Sequence, residues 1–378
     1  MRDAAAPVSL RVPFGALDAD YRERREAIDG AISRVLSRGR FILGEEVASF
    51  ERELAAGLGV ARVVACASGT DAIALALLAA GVDPDDEVLL PANACVPVIA
   101  GVRLAGARPR LADVDRETLT LGRAEAERAL TPGVRFLLAV HLYGGLADVP
   151  GLAALALEIG GTLLEDCAQS LGASAAGRKA GSLATAAAFS FYPTKNLGAY
   201  GDGGAVASDD PAIARRVERL RQYGWSRRDF SEIEGRNSRM DELQAAILRA
   251  KLPFLDEDNA RRREIARRYD EAFAALPVGR LRPRPGTTSA PHLYPVRTAA
   301  RDTLARHLAL RGVETAIHYP LPLHLQPAYA FLGHRRGDFP VAEEACETVL
   351  SLPLYPRMSD EQVEEVSSGV REFFERGR

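Results

Sequence analysis

The strongest constraint on this 378-residue chain is a repeated grammar in its first two thirds. Short, continuous apolar runs alternate with longer apolar helical stretches. The strand-like runs are residues 62–67, 86–91, 108–114, 135–142, 161–166, 186–192 and 203–208. Runs this short that do not alternate polar and apolar residues fit strands buried on both faces of a mainly parallel sheet. Between them, "TDAIALALLAAG" is apolar all round and stops at Gly81, while "VPVIAGVRLAG" carries Pro97 in its first turn and stops at Gly106. The pattern predicts a doubly wound α/β domain, whose ligands gather at the carboxyl ends of the strands.

Two helices, 17–38 and 45–58, precede this region. A helix at 238–252 and a long charged helix at 254–275 follow it. The remainder reads as strand, helix, strand, loop and two helices, with Ser359 and Gln362 forming a capping box. A chain this long outgrows one core, and the division is placed between a large domain, 1–252, and a smaller α/β domain, 253–378.

Bulk properties narrow the function. A formal charge of −3 gives no electrostatic footprint for nucleic acid or an anionic membrane. The opening "MRDAAAPVSLRVPFG" lacks a signal-peptide core, and no run is long enough to span a bilayer, so the cytoplasm is the expected location. Four cysteines form no CxxC pair, and six histidines show no zinc spacing, so no metal is expected.

One residue stands out against the composition. Lysine and arginine together number 48, of which only Lys179, Lys195 and Lys251 are lysines. Lys195 lies in "FSFYPTKNLGAYGDGG", between an apolar strand and a glycine-rich loop. Guanidinium stays charged, whereas a desolvated lysine becomes a neutral nucleophile. The same lysine would also serve as a buried salt-bridge partner.

Two other strand ends carry chemistry. Ser68, Gly69 and Thr70 open a helix, whose free N–H groups suit a phosphate; a plain N-cap uses the same residue types. Asp166 closes an apolar strand, with Gln169 three residues on, and a carboxylate there needs a cationic partner or a capping role. Phosphate cradle, amine and carboxylate together form the inventory of a pyridoxal phosphate site.

These segments, with "LEDCAQSLGAS", "RNSRMDELQAAIL" and "AIHYPLPLHLQPAY", give the chain a resemblance to the DegT/DnrJ/EryC1/StrS sugar aminotransferases. The resemblance runs through nearly the whole sequence. It implies the type I fold of pyridoxal-phosphate-dependent transferases, with a mainly parallel seven-stranded sheet between helices and a smaller C-terminal α/β domain. It implies pyridoxal 5′-phosphate as cofactor, Lys195 as the Schiff-base lysine and Asp166 as partner of the ring nitrogen. Gln169 would lie near the ring hydroxyl, with Gly69, Thr70 and Ser190 on the phosphate. Asn237 would reach the phosphate from a neighbouring subunit, making a homodimer with its active site at the interface. His318, Tyr319 and His324 would border the substrate cleft.

The implied reaction is ping-pong transamination from an amino acid, expected to be L-glutamate, to a nucleotide-linked keto-deoxysugar. A keto-cyclitol acceptor and a non-catalytic cofactor-binding regulator are the alternatives. A nicotinamide oxidoreductase is disfavoured, because the glycines of "GAYGDGG" lead into a strand rather than a helix. Two positions depart from the family: Cys95 stands where an aromatic residue usually stacks on the cofactor ring, and Gly145 where many relatives carry glutamine. Relatives that dehydrate their substrate have histidine at the lysine position; this chain has Lys195.

Overall fold

Seven of the apolar runs form one sheet in the computed structural model, which describes residues 10–376. The strands are β1 (Arg62–Cys66), β2 (Glu87–Pro91), β3 (Arg108–Ala112), β4 (Val134–Val140), β5 (Thr162–Asp166), β6 (Ala186–Ser190) and β7 (Gly204–Ser208), in the order β1-β7-β6-β5-β4-β2-β3. The five strands from β6 to β3 pair in parallel, whereas β7 runs antiparallel to both neighbours. The loop joining β6 to β7 contains no helix, so it cannot carry the crossover a parallel pair requires. The first nine residues of the stretch examined for a signal peptide lie outside the described residues.

The helices cover both faces. Those called α1 (Leu17–Arg38), α2 (Glu45–Leu58), α3 (Gly69–Ala79), α4 (Val96–Leu104), α5 (Arg123–Ala129), α6 (Val149–Glu158) and α7 (Pro211–Leu220) precede α8 (Glu242–Lys251) and α9 (Leu255–Ala272). Helices α3, α4 and α7 pack on the face that carries Leu90, Leu138 and Leu164. Helices α5 and α6 pack on the face that carries Leu89, Leu137 and Leu163. Consecutive leucines thus feed opposite cores, which is why these strands read as unbroken apolar runs. Gly81 and Gly106 end α3 and α4 with φ of 88° and 86°, conformations that side chains disfavour.

Beyond α9, Gly279–Arg280, Tyr294–Arg297 and Val349–Leu352 form a three-stranded sheet against a separate core containing Tyr269, Val296 and Val366. The capping box forms as expected, with Ser359 N donating to Gln362 Oε1 at 3.1 Å and Gln362 N to Ser359 Oγ at 3.2 Å. The strand expected directly after helix Arg301–Leu310 is reduced to two isolated bridges, Val313 to Val12 and Ala316 to Ser351, the latter along the edge of Val349–Leu352. No helix among the described residues is long and apolar enough to cross a membrane.

One buried group fixes the carboxyl ends of the central strands. Glu165 accepts hydrogen bonds from Gly181 N at 3.0 Å, Leu183 N at 2.8 Å and Ala184 N at 3.0 Å, and pairs with His141 Nε2 at 2.9 Å. Ala147 N donates to His141 Nδ1, so the ring proton sits on Nε2 and points at Glu165. Burial alone would raise the Glu165 pKa, but His141 and the backbone donors outweigh it and hold the group below its ordinary value of 4.5. A carboxylate depressed in the folded state adds stability above its unfolded pKa and loses it as pH falls through the folded one. Glu165→Gln should therefore cost about 2–3 kcal/mol at neutral pH in urea unfolding. The gap to wild type should narrow as the pH falls below 4.5; a gap that stays constant into acid would contradict this account.

Candidate active site

The residues singled out by sequence converge where the chain leaves β1, β5 and β6. Helix α3 starts directly after β1, and Ser68 caps it by accepting from Asp71 N at 3.1 Å. Thr70 sits in its first turn. Gly69 is held so close to β6 that a Cβ there would stand 2.5 Å from the Ser190 Cβ. Only glycine lets the helix N-terminus lie against the serine, and the result is a cradle of backbone N–H groups and hydroxyls suited to phosphate.

Asp166 is 4% exposed at the end of β5. One carboxylate oxygen accepts from Ala168 N at 2.9 Å, and no cation pairs with the group among the described residues. Burial raises its pKa, opposed by that hydrogen bond and by the charge of Lys195. Lys195 is half-buried on the turn after β6, where its backbone N donates to Tyr192 O at 2.8 Å. Burial lowers its pKa, against the opposing pull of Cys95 and Asp166. A proton-shy amine beside a carboxylate with no cationic partner fits a cofactor that brings both an aldehyde and a protonated ring nitrogen.

Gln169 is fully engaged. Its Oε1 accepts from Tyr143 N at 2.6 Å and its Nε2 donates to Tyr319 Oη at 3.1 Å. Tyr143 Oη in turn donates to His318 O at 2.6 Å, so the segment carrying His318 and Tyr319 is tied to the sheet at two points. Cys95, the N-cap residue of α4, lies close enough to Asp166, Lys195 and Tyr319 to feel them, and burial and the Asp166 charge raise its thiol pKa.

A cavity of about 380 Å³ meets the site at Lys195. His292, His318 and Arg262 contribute to its walls together with Phe14, which stacks on His318 at 5.6 Å. Asp166, Gly69, Thr70 and Ser190 are not part of its lining. The space therefore adjoins the cradle rather than duplicating it. His318 is held down to about 4 by burial and by Lys195, so both it and the cavity's other histidine are neutral at neutral pH.

Two residues named from the sequence lie elsewhere. His324 does not line that cavity; it is buried, pairs with Glu343 Oε1 at 2.9 Å and packs edge-on against Phe339. Asn237 is exposed and bridges only to Gln222 through its backbone. Three residues that sequence reasoning missed are Asn196, Asn259 and His292, joined in one hydrogen-bonded chain beneath Lys195. The only hint was position: Asn196 directly follows the lysine.

Residues 22–371 match the DegT/DnrJ/EryC1/StrS aminotransferase family. The chain is 44% identical over 367 residues to the dTDP-3-amino-3,4,6-trideoxy-alpha-D-glucose transaminase of Streptomyces venezuelae, covering 97% of each chain. It is 46% identical over 363 residues to the erythromycin biosynthesis sensory transduction protein EryC1 of Saccharopolyspora erythraea, covering 96% of this chain and 99% of that one. The solved structure of S. venezuelae DesV in complex with a ketimine intermediate superposes with a TM-score of 0.95 at 44% identity, over 97% of this chain and 99% of the other. Solved neighbours of the same fold carry pyridoxal or pyridoxamine phosphate, and pyridoxal 5′-phosphate is the cofactor that the cradle, amine and carboxylate fit.

If Gly69 is what lets α3 reach the phosphate, Gly69→Ala should weaken cofactor retention about tenfold to hundredfold, as overpacking by one methyl group costs ~1–3 kcal/mol. Equilibrium dialysis against pyridoxal phosphate measures this, and unchanged retention would remove the cradle from the site.

Proposed function

The chain belongs to the DegT/DnrJ/EryC1/StrS aminotransferase family, and from that premise we propose that it transfers an amino group from L-glutamate to a keto-deoxysugar carried on a nucleotide. The observation that carries the proposal is the juxtaposition of Lys195, its proton affinity lowered by burial, with the cation-free Asp166. Pyridoxal phosphate, when bound, supplies a ring that withdraws electrons from the carbon bearing the amino group.

The chain's own residues do the rest. Gly69 and Thr70 N–H groups, with the Thr70 and Ser190 hydroxyls, bind the phosphate. Asp166 holds a proton at the ring nitrogen, and its burial strengthens that pairing. Lys195 takes the proton from the substrate carbon as a general base and returns it as an acid; its lowered pKa brings it toward the range where both steps are feasible near neutrality. Gln169 anchors Tyr319 over the site, and that clasp limits the entry of water.

We further place the domain boundary at 252/253, where α8 gives way to α9, and the enzyme in the cytoplasm as a homodimer. Asn237, exposed and without a side-chain partner among the described residues, is assigned to the phosphate of the adjacent subunit's site. The name of the S. erythraea relative fits a regulatory binder instead. Loss of the bound cofactor's visible absorbance on adding L-glutamate favours the enzyme; an inert spectrum favours the regulator.

Lys195→Arg should keep the cofactor noncovalently, carry no borohydride-fixed adduct and lose about 10³-fold in turnover, as expected when a positioned acid–base group is removed. Activity near wild type in this variant would end the assignment. The shared site has its own test. Mixing Lys195→Arg with Asn237→Ala subunits should restore about a quarter of the wild-type activity, since hybrid dimers hold one intact site each. No recovery on subunit exchange would place Asn237 outside the site.

A further inference from the structure

His292 sits beside the cavity at Lys195, and its protonation pattern can be read from an amide relay. Asn259 Nδ2 donates to Leu171 O at 2.9 Å, which leaves Asn259 Oδ1 to accept from Asn196 Nδ2 at 2.8 Å. Asn196 Nδ2 also reaches Ala290 O at 3.2 Å. Asn196 Oδ1 is therefore an acceptor, and the His292 Nδ1 that meets it at 3.2 Å must carry the ring proton. Nε2 then bears the lone pair. It has no partner among the described residues, although the ring is only 7% exposed and lines the cavity.

The surroundings keep that lone pair free. Burial, then the charges of Lys195 and Arg262, hold the His292 pKa well below 6.5. Arg262 Nη1 donates to the His292 backbone carbonyl at 3.3 Å, which fixes the cation beside the ring. Nε2 is thus an acceptor open to the cavity, and its natural complement is a ligand hydroxyl or N–H. Of the two substrates, the sugar carries hydroxyl donors close to its reacting carbon. The distal carboxylate of glutamate offers only lone pairs.

We infer that His292 Nε2 accepts a hydrogen bond from a ring hydroxyl of the sugar, making His292 a specificity-determining residue for the sugar half-reaction. The inference rests on the aminotransferase reading above. The relay through Asn196 and Asn259 positions it, and Lys195, one residue from Asn196, shares the same frame.

Two substitutions separate the acceptor from the relay. His292→Asn keeps a donor for Asn196 but removes the Nε2 lone pair; His292→Gln keeps an acceptor at the Nε2 position. The probe is dTDP-3-amino-3,4,6-trideoxy-α-D-glucose, run against the pyridoxal form of the holoenzyme in single turnover, with L-glutamate in a parallel assay. His292→Asn should lower kcat/KM for the amino sugar about tenfold or more while the glutamate half-reaction changes less than about threefold, and the Gln variant should recover most of the loss. Calorimetric affinity of the holoenzyme for the amino sugar should fall in parallel.

Equal losses in both half-reactions, or a Gln variant no better than the Asn variant, would overturn the inference and leave His292 a structural prop. A wild-type enzyme that reacts with glutamate but with no nucleotide-linked amino sugar would overturn the substrate reading as well. The glutamate assay thus tells the two failures apart and reports on folding.

Discussion

The site depends on one electrostatic imbalance. Asp166 is buried at the end of a parallel strand, hydrogen-bonded to a single backbone N–H, with no cation paired to it among the described residues. A carboxylate so placed would normally be matched by a cation or several donors. Its neighbour in sequence shows what full satisfaction looks like. Glu165 points to the other face of the same strand, where three backbone donors and His141 saturate it. Two adjacent carboxylates thus have opposite fates, set by the alternation of a β-strand. One closes the fold, while the other keeps acceptor sites free, as its proposed pairing with a protonated ring nitrogen requires.

Register turns that imbalance into a site. Val140, Asp166 and Ala188 are aligned across β4, β5 and β6, so whatever follows these strands emerges at one level. His141 N donates to Asp166 O at 3.1 Å, which locks the aspartate backbone to the neighbouring strand end. Lys195 arrives from β6, and the α3 N-terminus arrives from β1 two strands away across β7. The antiparallel β7 brings β1 next to the central strands without a further crossover and so places the α3 N-terminus against Ser190.

Much of this was legible because strand ends are where local sequence and global topology agree. The apolar runs located all seven strands, and the first two helices have the limits their patterns suggested. Asp166 and Lys195 stood out because each is a charged group terminating an apolar run. What sequence could not give was anything resting on contacts between distant segments. The relay from Leu171 through Asn259 and Asn196 to His292 joins four separate stretches, none with a local signature. His324 shows the converse. Its setting, "PLPLHLQ", resembles a cleft-lining loop, yet the ring serves Glu343, which also accepts from Gly337 N and Phe339 N. Helix α8 starts later than its sequence pattern suggests because residues 238–241 are drawn into tertiary contacts, with Ser238 Oγ donating to Asp71 Oδ2 at 2.8 Å and Asp241 bridging to Ile42.

The distribution of rigid and adaptable parts explains how one scaffold serves several substrates. Groups suited to the cofactor sit on strand ends and one helix N-terminus, positions whose backbone is fixed by the sheet. Apart from residues 192–196, the groups facing the adjoining cavity come from the segment before α1, α1 itself, the end of α8, α9, the stretch around His292, the loop around His318 and residues 354–357, all outside the central sheet. Substitutions in these segments can reshape the substrate space while leaving Asp166, Lys195 and the α3 N-terminus undisturbed. Couplings that cross the divide include Gln169 to Tyr319, Tyr143 to the His318 carbonyl and Asn196 to His292. They are the places where the choice of substrate and the handling of the proton can influence each other, because a shift in Tyr319 or His292 moves Gln169 or Asn196, three residues from Asp166 and next to Lys195 in sequence.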